Sequence, residues 1–137
     1  MSNDEIKEVC YWIDLAWCEK NGRSFKALIK SRLCLICQTK TVPEKDNHSI
    51  LSNTVLIDTI KDCCSKWEGF ITPQMSIIET TFRIFLSNGN QPLTASQIEL
   101  QIREIRGDDY SPDSELLEYL LTHDTYYGLR ATSPADN

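Results

Sequence analysis

Apolar side chains along much of this chain recur at intervals of three and four, the period at which one face of an α-helix is buried. Over residues 2–20, Ile6, Val9, Cys10, Ile13, Ala16 and Trp17 share a face, Ser2 and Glu5 have the spacing of a capping box, and Gly22 supplies a stop. A first helix is predicted there. Ser24 can cap a second, with Phe25, Leu28, Ile29 and Leu33 inward and Lys26, Lys30 and Arg32 elsewhere on its surface. The pattern then fails, because residues 39–53 (TKTVPEKDNHSILSN) are polar, contain Pro43 and have no periodicity, which predicts a long surface loop. It returns from about Val55 to Trp67, with Leu56, Ile60, Cys63 and Trp67 aligned and Gly69 as the end.

The second half is punctuated more clearly. Thr72 and Pro73 offer an N-cap and a first helical residue, and the stripe Ile77, Ile78, Thr81, Phe82, Phe85 and Leu86 runs to a stop at Asn88-Gly89-Asn90. After the extended link Gln91-Pro92-Leu93, Thr94 and Gln97 form a capping box for a helix through Arg106, with Ile98, Ile102 and Ile105 inward. Gly107 turns the chain, and Ser111-Pro112 opens a helix packed through Leu116, Leu117, Leu120 and Leu121. The aromatic run Tyr126 to Arg130 predicts a β-strand, and pairing it with Leu93 would cover the strand edge. The expected fold is mainly α: a helical half over residues 1–71, a second unit over 72–132 and a frayed tail at 133–137.

Composition narrows the class. With 137 residues, 41% hydrophobic and 25% charged, the chain has ordinary globular composition and room for one sizeable core or two small ones. No apolar run approaches the roughly 20 residues of a membrane span. The opening MSNDEIKEVC carries acids where a secretory signal carries bases, so the expected location is the cytoplasm. The net charge of −6 is unevenly spread: residues 1–72 hold ten basic and ten acidic side chains, and residues 73–137 hold four and ten. Within the first half Lys20, Arg23, Lys26, Lys30, Arg32 and Lys40 occur with no acid between positions 20 and 43. If nucleic acid is bound, the expected contacts are Arg23, Lys26, Lys30, Arg32 and Lys40. The same cations could instead balance the acidic half of the protein.

Six cysteines in a reducing compartment point to core thiols or metal ligands rather than a disulfide set. Cys34 and Cys37 have the C-x-x-C spacing at which two thiolates turn onto one tetrahedral ion, and Cys63-Cys64 follows after one long loop. Convergence of Cys34, Cys37, Cys63 and Cys64 on a structural zinc would staple the thin first half. Against this, adjacent cysteines on a helix point about 100° apart. His48 could therefore replace one of them, an iron–sulfur cluster could use the same thiols, or Cys63 could be a core residue on the stripe of Leu56, Ile60 and Trp67. Cys10 and Cys18 are expected to be core residues. No phosphate loop, Ser/His/Asp set or isolated carboxylate pair is present, and His123 is placed to cap a helix end. Neither an enzyme nor a small-molecule substrate is expected.

Residues 72–132 follow the element order of a winged helix-turn-helix. The segment Asn90 to Ile98, the start at Ser111-Pro112 and the closing Tyr127-Gly128-Leu129-Arg130 resemble HARE-HTH domains, a winged-helix family found in the delta subunit of bacterial RNA polymerase. The resemblance implies a transcription-associated module whose partner is DNA or a transcription protein such as RNA polymerase. Two departures bear on which. The third helix would be the recognition helix, yet it carries Asp113, Glu115 and Glu118, and about eight residues after it leave only a reduced wing. The expected function is a small regulatory DNA-binding module working through the basic first half, with a protein-docking adaptor that binds no DNA as the alternative.

Overall fold

Side chains of Cys10-Tyr11-Trp12-Ile13 alternate between half-buried and buried, the period of a strand with one face on the core. In the computed structural model, which describes residues 8–40, 53–108 and 111–132, these four residues form β1 (Cys10–Ile13), the centre of a three-stranded antiparallel sheet. Tyr11 pairs with Leu93 of β2 (Leu93–Thr94) on one side and with Ala131 of β3 (Leu129–Ala131) on the other. Two expectations are corrected. The first helix does not run from 2 to 20, because β1 takes its middle and only α1 (Leu15–Lys20) remains, started by the Asp14 carboxylate accepting the Trp17 N–H; Ser2 and Glu5 lie outside the described residues. Nor does Leu93 pair with the strand after Tyr126, since β1 is inserted between them.

Helices α2 (Phe25–Lys30) and α3 (Leu35–Lys40) follow, then α4 (Asn53–Asp62), a 3-10 turn (Cys64–Lys66) and α5 (Ile77–Ser87). Residues 39 and 40, expected in a loop, belong to α3 instead, and residues 41–52 of that expected loop lie outside the described residues. Ser24 caps α2 as its sequence predicts, through its hydroxyl and the Ala27 N–H. On α5 the cap is Ser76 rather than Thr72, because Thr72 to Met75 close a separate turn. This helix is the centre of the core: Phe82 and Phe85 have no exposed surface, and burial of such a ring contributes roughly 2 kcal/mol or more.

The Asn88-Gly89-Asn90 stop also clamps the sheet. Asn90, at φ 63, accepts the Ile13 N–H and donates to the Ile13 carbonyl, both at 2.9 Å, so its amide extends β2 alongside β1. The predicted capping box opens α6 (Ala95–Arg106), with Thr94 and Gln97 each satisfying the other's backbone N–H. α7 (Ser114–Thr122) is capped by Asp113, not by Ser111, and it buries Leu117 and Leu121 while Leu116 is exposed. The predicted strand shifts to 129–131, because Asp124 holds the preceding turn by accepting the N–H groups of Tyr126, Tyr127 and Leu129.

Packing runs from α2 to α4, on through α5 and α6 to α7, and from α7 to β3. A single buried cluster extends from Tyr11 to Leu129, so the core and the sheet both cross the expected boundary near residue 71. The molecule is mainly helical with a small antiparallel sheet. Among the described residues, no helix is long and apolar enough to cross a membrane.

Candidate metal centre

The chain leaves α2 through Ser31 and is anchored by Leu33, buried in the core, which delivers Cys34 to the end of α4. Cys37 follows on the first turn of α3 and points inward. At the other side α4 stops at Asp62, and Cys63 takes φ −128 and ψ −67, outside helical geometry, before the 3-10 turn begins at Cys64. That break removes the objection to adjacent cysteines, because the 100° separation applies only within a continuous helix. The four sulfurs of Cys34, Cys37, Cys63 and Cys64 lie within 4.8 Å of one another, with Cys34 and Cys63 4.0 Å apart. A tetrahedral zinc with bonds of about 2.3 Å needs thiolates about 3.8 Å apart, so small side-chain rotations close this set on one ion.

Hydrogen bonds support the same arrangement. The Cys34 N–H donates to Cys64 Sγ at 3.2 Å, the kind of backbone contact that stabilises a thiolate. The backbone N–H of Cys37 is the main influence holding the Cys34 thiol down to about 7, and it outweighs the upward push of burial. Burial drives the Cys37 and Cys64 thiols up, so without a cation these inward sulfurs keep their protons. A bound divalent ion reverses that balance, since its charge favours deprotonation.

Several expectations are changed here. Cys63 is exposed and does not belong to the buried stripe; Cys64 is the buried member of the pair, and Trp67 is 62% exposed. His48 lies outside the described residues. Cys18 is a core thiol with its pKa raised by burial, whereas Cys10 sits half-buried on β1 instead of on a helix face.

The basic segment does not form one free cationic face. Arg32 is committed to Glu79 of α5 by two bonds, Nε to Oε2 at 3.0 Å and Nη2 to Oε1 at 2.8 Å, with 11% of its side chain exposed. It is removed from the nucleic-acid set, because a buried bidentate pair cannot release its guanidinium to a phosphate. Arg23 lies 4.4 Å over the Tyr126 ring and donates to the Tyr126 carbonyl. Lys30 is exposed and Lys26 half-buried, while the side chain of Lys40 lies outside the described residues.

Glu79 was not singled out by sequence, although it ties Arg32, two residues before Cys34, to α5. It also accepts from Arg83 and from the Tyr127 hydroxyl, each at 2.6 Å, so one carboxylate joins the end of α2, α5 and the turn before β3. Only its i,i+4 spacing to Arg83 is visible in sequence. Comparisons of this chain with protein-family models, curated proteins and solved structures find no match.

Proposed function

We propose that the protein is a zinc-stapled adaptor that docks a transcription protein through an acidic, partly apolar surface on α7. Zinc suits the donor set because four thiolates around one point give the tetrahedral site that this ion accepts. A polynuclear iron–sulfur cluster would place several irons and sulfides between its thiolates and so demands wider spacing. The ion would be structural, with Cys34, Cys37, Cys63 and Cys64 as its complete shell. Its place is to fix the link between α2 and α3 against the end of α4.

The observation that carries the docking role is the outward face of α7. Asp113, Glu115 and Glu118 stand there beside exposed Leu116 and Tyr119, and the helix has no Lys or Arg. Phosphates are repelled by such a face, whereas a basic surface with apolar side chains complements it. The order α5, β2, α6, α7, β3 supports the winged-helix resemblance, and through it a partner such as RNA polymerase. Titration of purified RNA polymerase with the labelled protein tests the reading: we expect binding that Leu116→Ser with Tyr119→Ala weakens at least tenfold. Full-strength binding by that variant, or none by the wild type, contradicts it.

A regulatory DNA-binding role is kept as the second reading because Arg23 draws the basic segment against Tyr126, next to the position a wing would occupy. Its contacts would be Lys20, Arg23, Lys26 and Lys30. Duplex DNA binding that falls steeply with salt and disappears when Lys20, Lys26 and Lys30 become Ser favours it over the adaptor.

A further inference from the structure

The four clustered thiols differ in their access to solvent. Cys63 is exposed and Cys34 half-buried, whereas Cys37 and Cys64 retain 3% and 0% exposure. The two outward thiols are also direct neighbours, with 4.0 Å between their sulfurs. Chain neighbours Leu35 and Asp62 are exposed as well, so a small oxidant reaches this pair without unfolding of the core.

We propose that Cys34 and Cys63 form an oxidative modification site, a disulfide generated by a hydroperoxide, whose formation releases the metal of the four-thiol cluster. The metal release rests on the zinc-staple reading; the choice of thiol pair rests on geometry and exposure alone. With hydrogen peroxide the Cys34 thiolate sulfur attacks one oxygen, the O–O bond breaks, and the departing oxygen takes a proton and leaves as water. Cys34 is then a sulfenic acid. The Cys63 sulfur attacks the Cys34 sulfur, the S–S bond forms, and the remaining oxygen leaves as a second water with a second proton. Two thiolates have lost two electrons and one peroxide has gained them.

Closure from 4.0 Å to a bond of about 2.05 Å requires side-chain rotation, which the exposed Cys63 is free to make. Cys37 and Cys64 then remain as two ligands where a structural zinc takes four, and the ion is lost. The disulfide still ties the start of α3 to the end of α4, so reduction can rebuild the site.

The experiment treats the purified, zinc-loaded protein with hydrogen peroxide, reads free zinc with a chromogenic chelator and maps disulfides by peptide mass spectrometry without reduction. The expected result is a Cys34–Cys63 disulfide appearing in step with one zinc released per chain, both reversed by a thiol reductant with added zinc. Cys10→Ser should respond identically, since Cys10 is outside the clustered set. A Cys37–Cys64 disulfide, a bond to Cys10 or Cys18, zinc release with no disulfide, or no reaction would each overturn the proposal. Protein that purifies without zinc and takes up none would end the staple reading. On that protein the same map still decides the pairing, with Cys34–Cys63 supporting it and any other bond rejecting it.

Discussion

Glu79 binds together residues that are 47 and 48 positions away in the chain, Arg32 and Tyr127. Burial alone would raise its pKa, but the hydrogen bonds from Arg32, Tyr127 and Arg83 win and hold the carboxyl at about 2, against 4.5 for the free group. Because the folded value is the lower one, this stabilisation is fully present above about pH 4.5 and is lost as the pH falls toward 2. Glu79→Gln should therefore cost about 3 kcal/mol at neutral pH, chiefly by leaving the Arg32 charge buried without its partner. Urea unfolding of both proteins across pH 2 to 7 checks this, and taking their difference cancels any acid release of metal. The gap should be widest at neutral pH and narrow below pH 4.5; equal midpoints at pH 7 would contradict the assignment. At this scale the sequence is legible only locally. Glu79 and Arg83 form a readable helical pair, whereas Arg32 looks like one more surface cation until the fold brings it to α5.

Among the elements, those with local signals were legible: the Ser24 cap of α2, the Thr94 and Gln97 box of α6 and the buried stripe of α5 all stand as their residues predict. β1 was not, because a strand of four residues shows barely two alternations, and Val9, Cys10, Ile13 and Trp17 fit a helical spacing equally well. Its strand state is decided by partners near residues 93 and 130. The join of β1 to β3 gives a test. Gly128, at φ 82, accepts the Asp14 N–H at its carbonyl oxygen, and a Cβ there would collide with Cys18 Sγ. Gly22 has a similar φ of 71 with nothing within 4 Å. Gly22→Ala should then cost about 1 kcal/mol, for the left-handed backbone alone, and Gly128→Ala about 3 kcal/mol, for backbone and collision together. Equal losses in chemical denaturation would mean that the sheet edge adjusts freely around Cys18.

At the scale of the molecule, a sheet whose centre comes from the first half and whose edges come from the second makes one core of parts that read in sequence as two units. The cysteine set was legible from the C-x-x-C pair and the Cys63-Cys64 doublet, because metal-ligand spacing is a local signal; the non-helical Cys63 that lets both members of the doublet converge was not. The proposed docking through α7 would depend on this frame, since α7 packs on α6 and β3, and β3 is held by β1. The metal centre is the central claim, and the most direct measurement is elemental analysis of the purified protein joined to thermal unfolding with and without a strong chelator. The zinc-staple proposal predicts one zinc per chain, and a midpoint lowered by roughly 10 °C or more once the ion is withdrawn, as the loss of several kcal/mol implies. A metal-free protein that unfolds cooperatively at the same temperature with and without the chelator would contradict it.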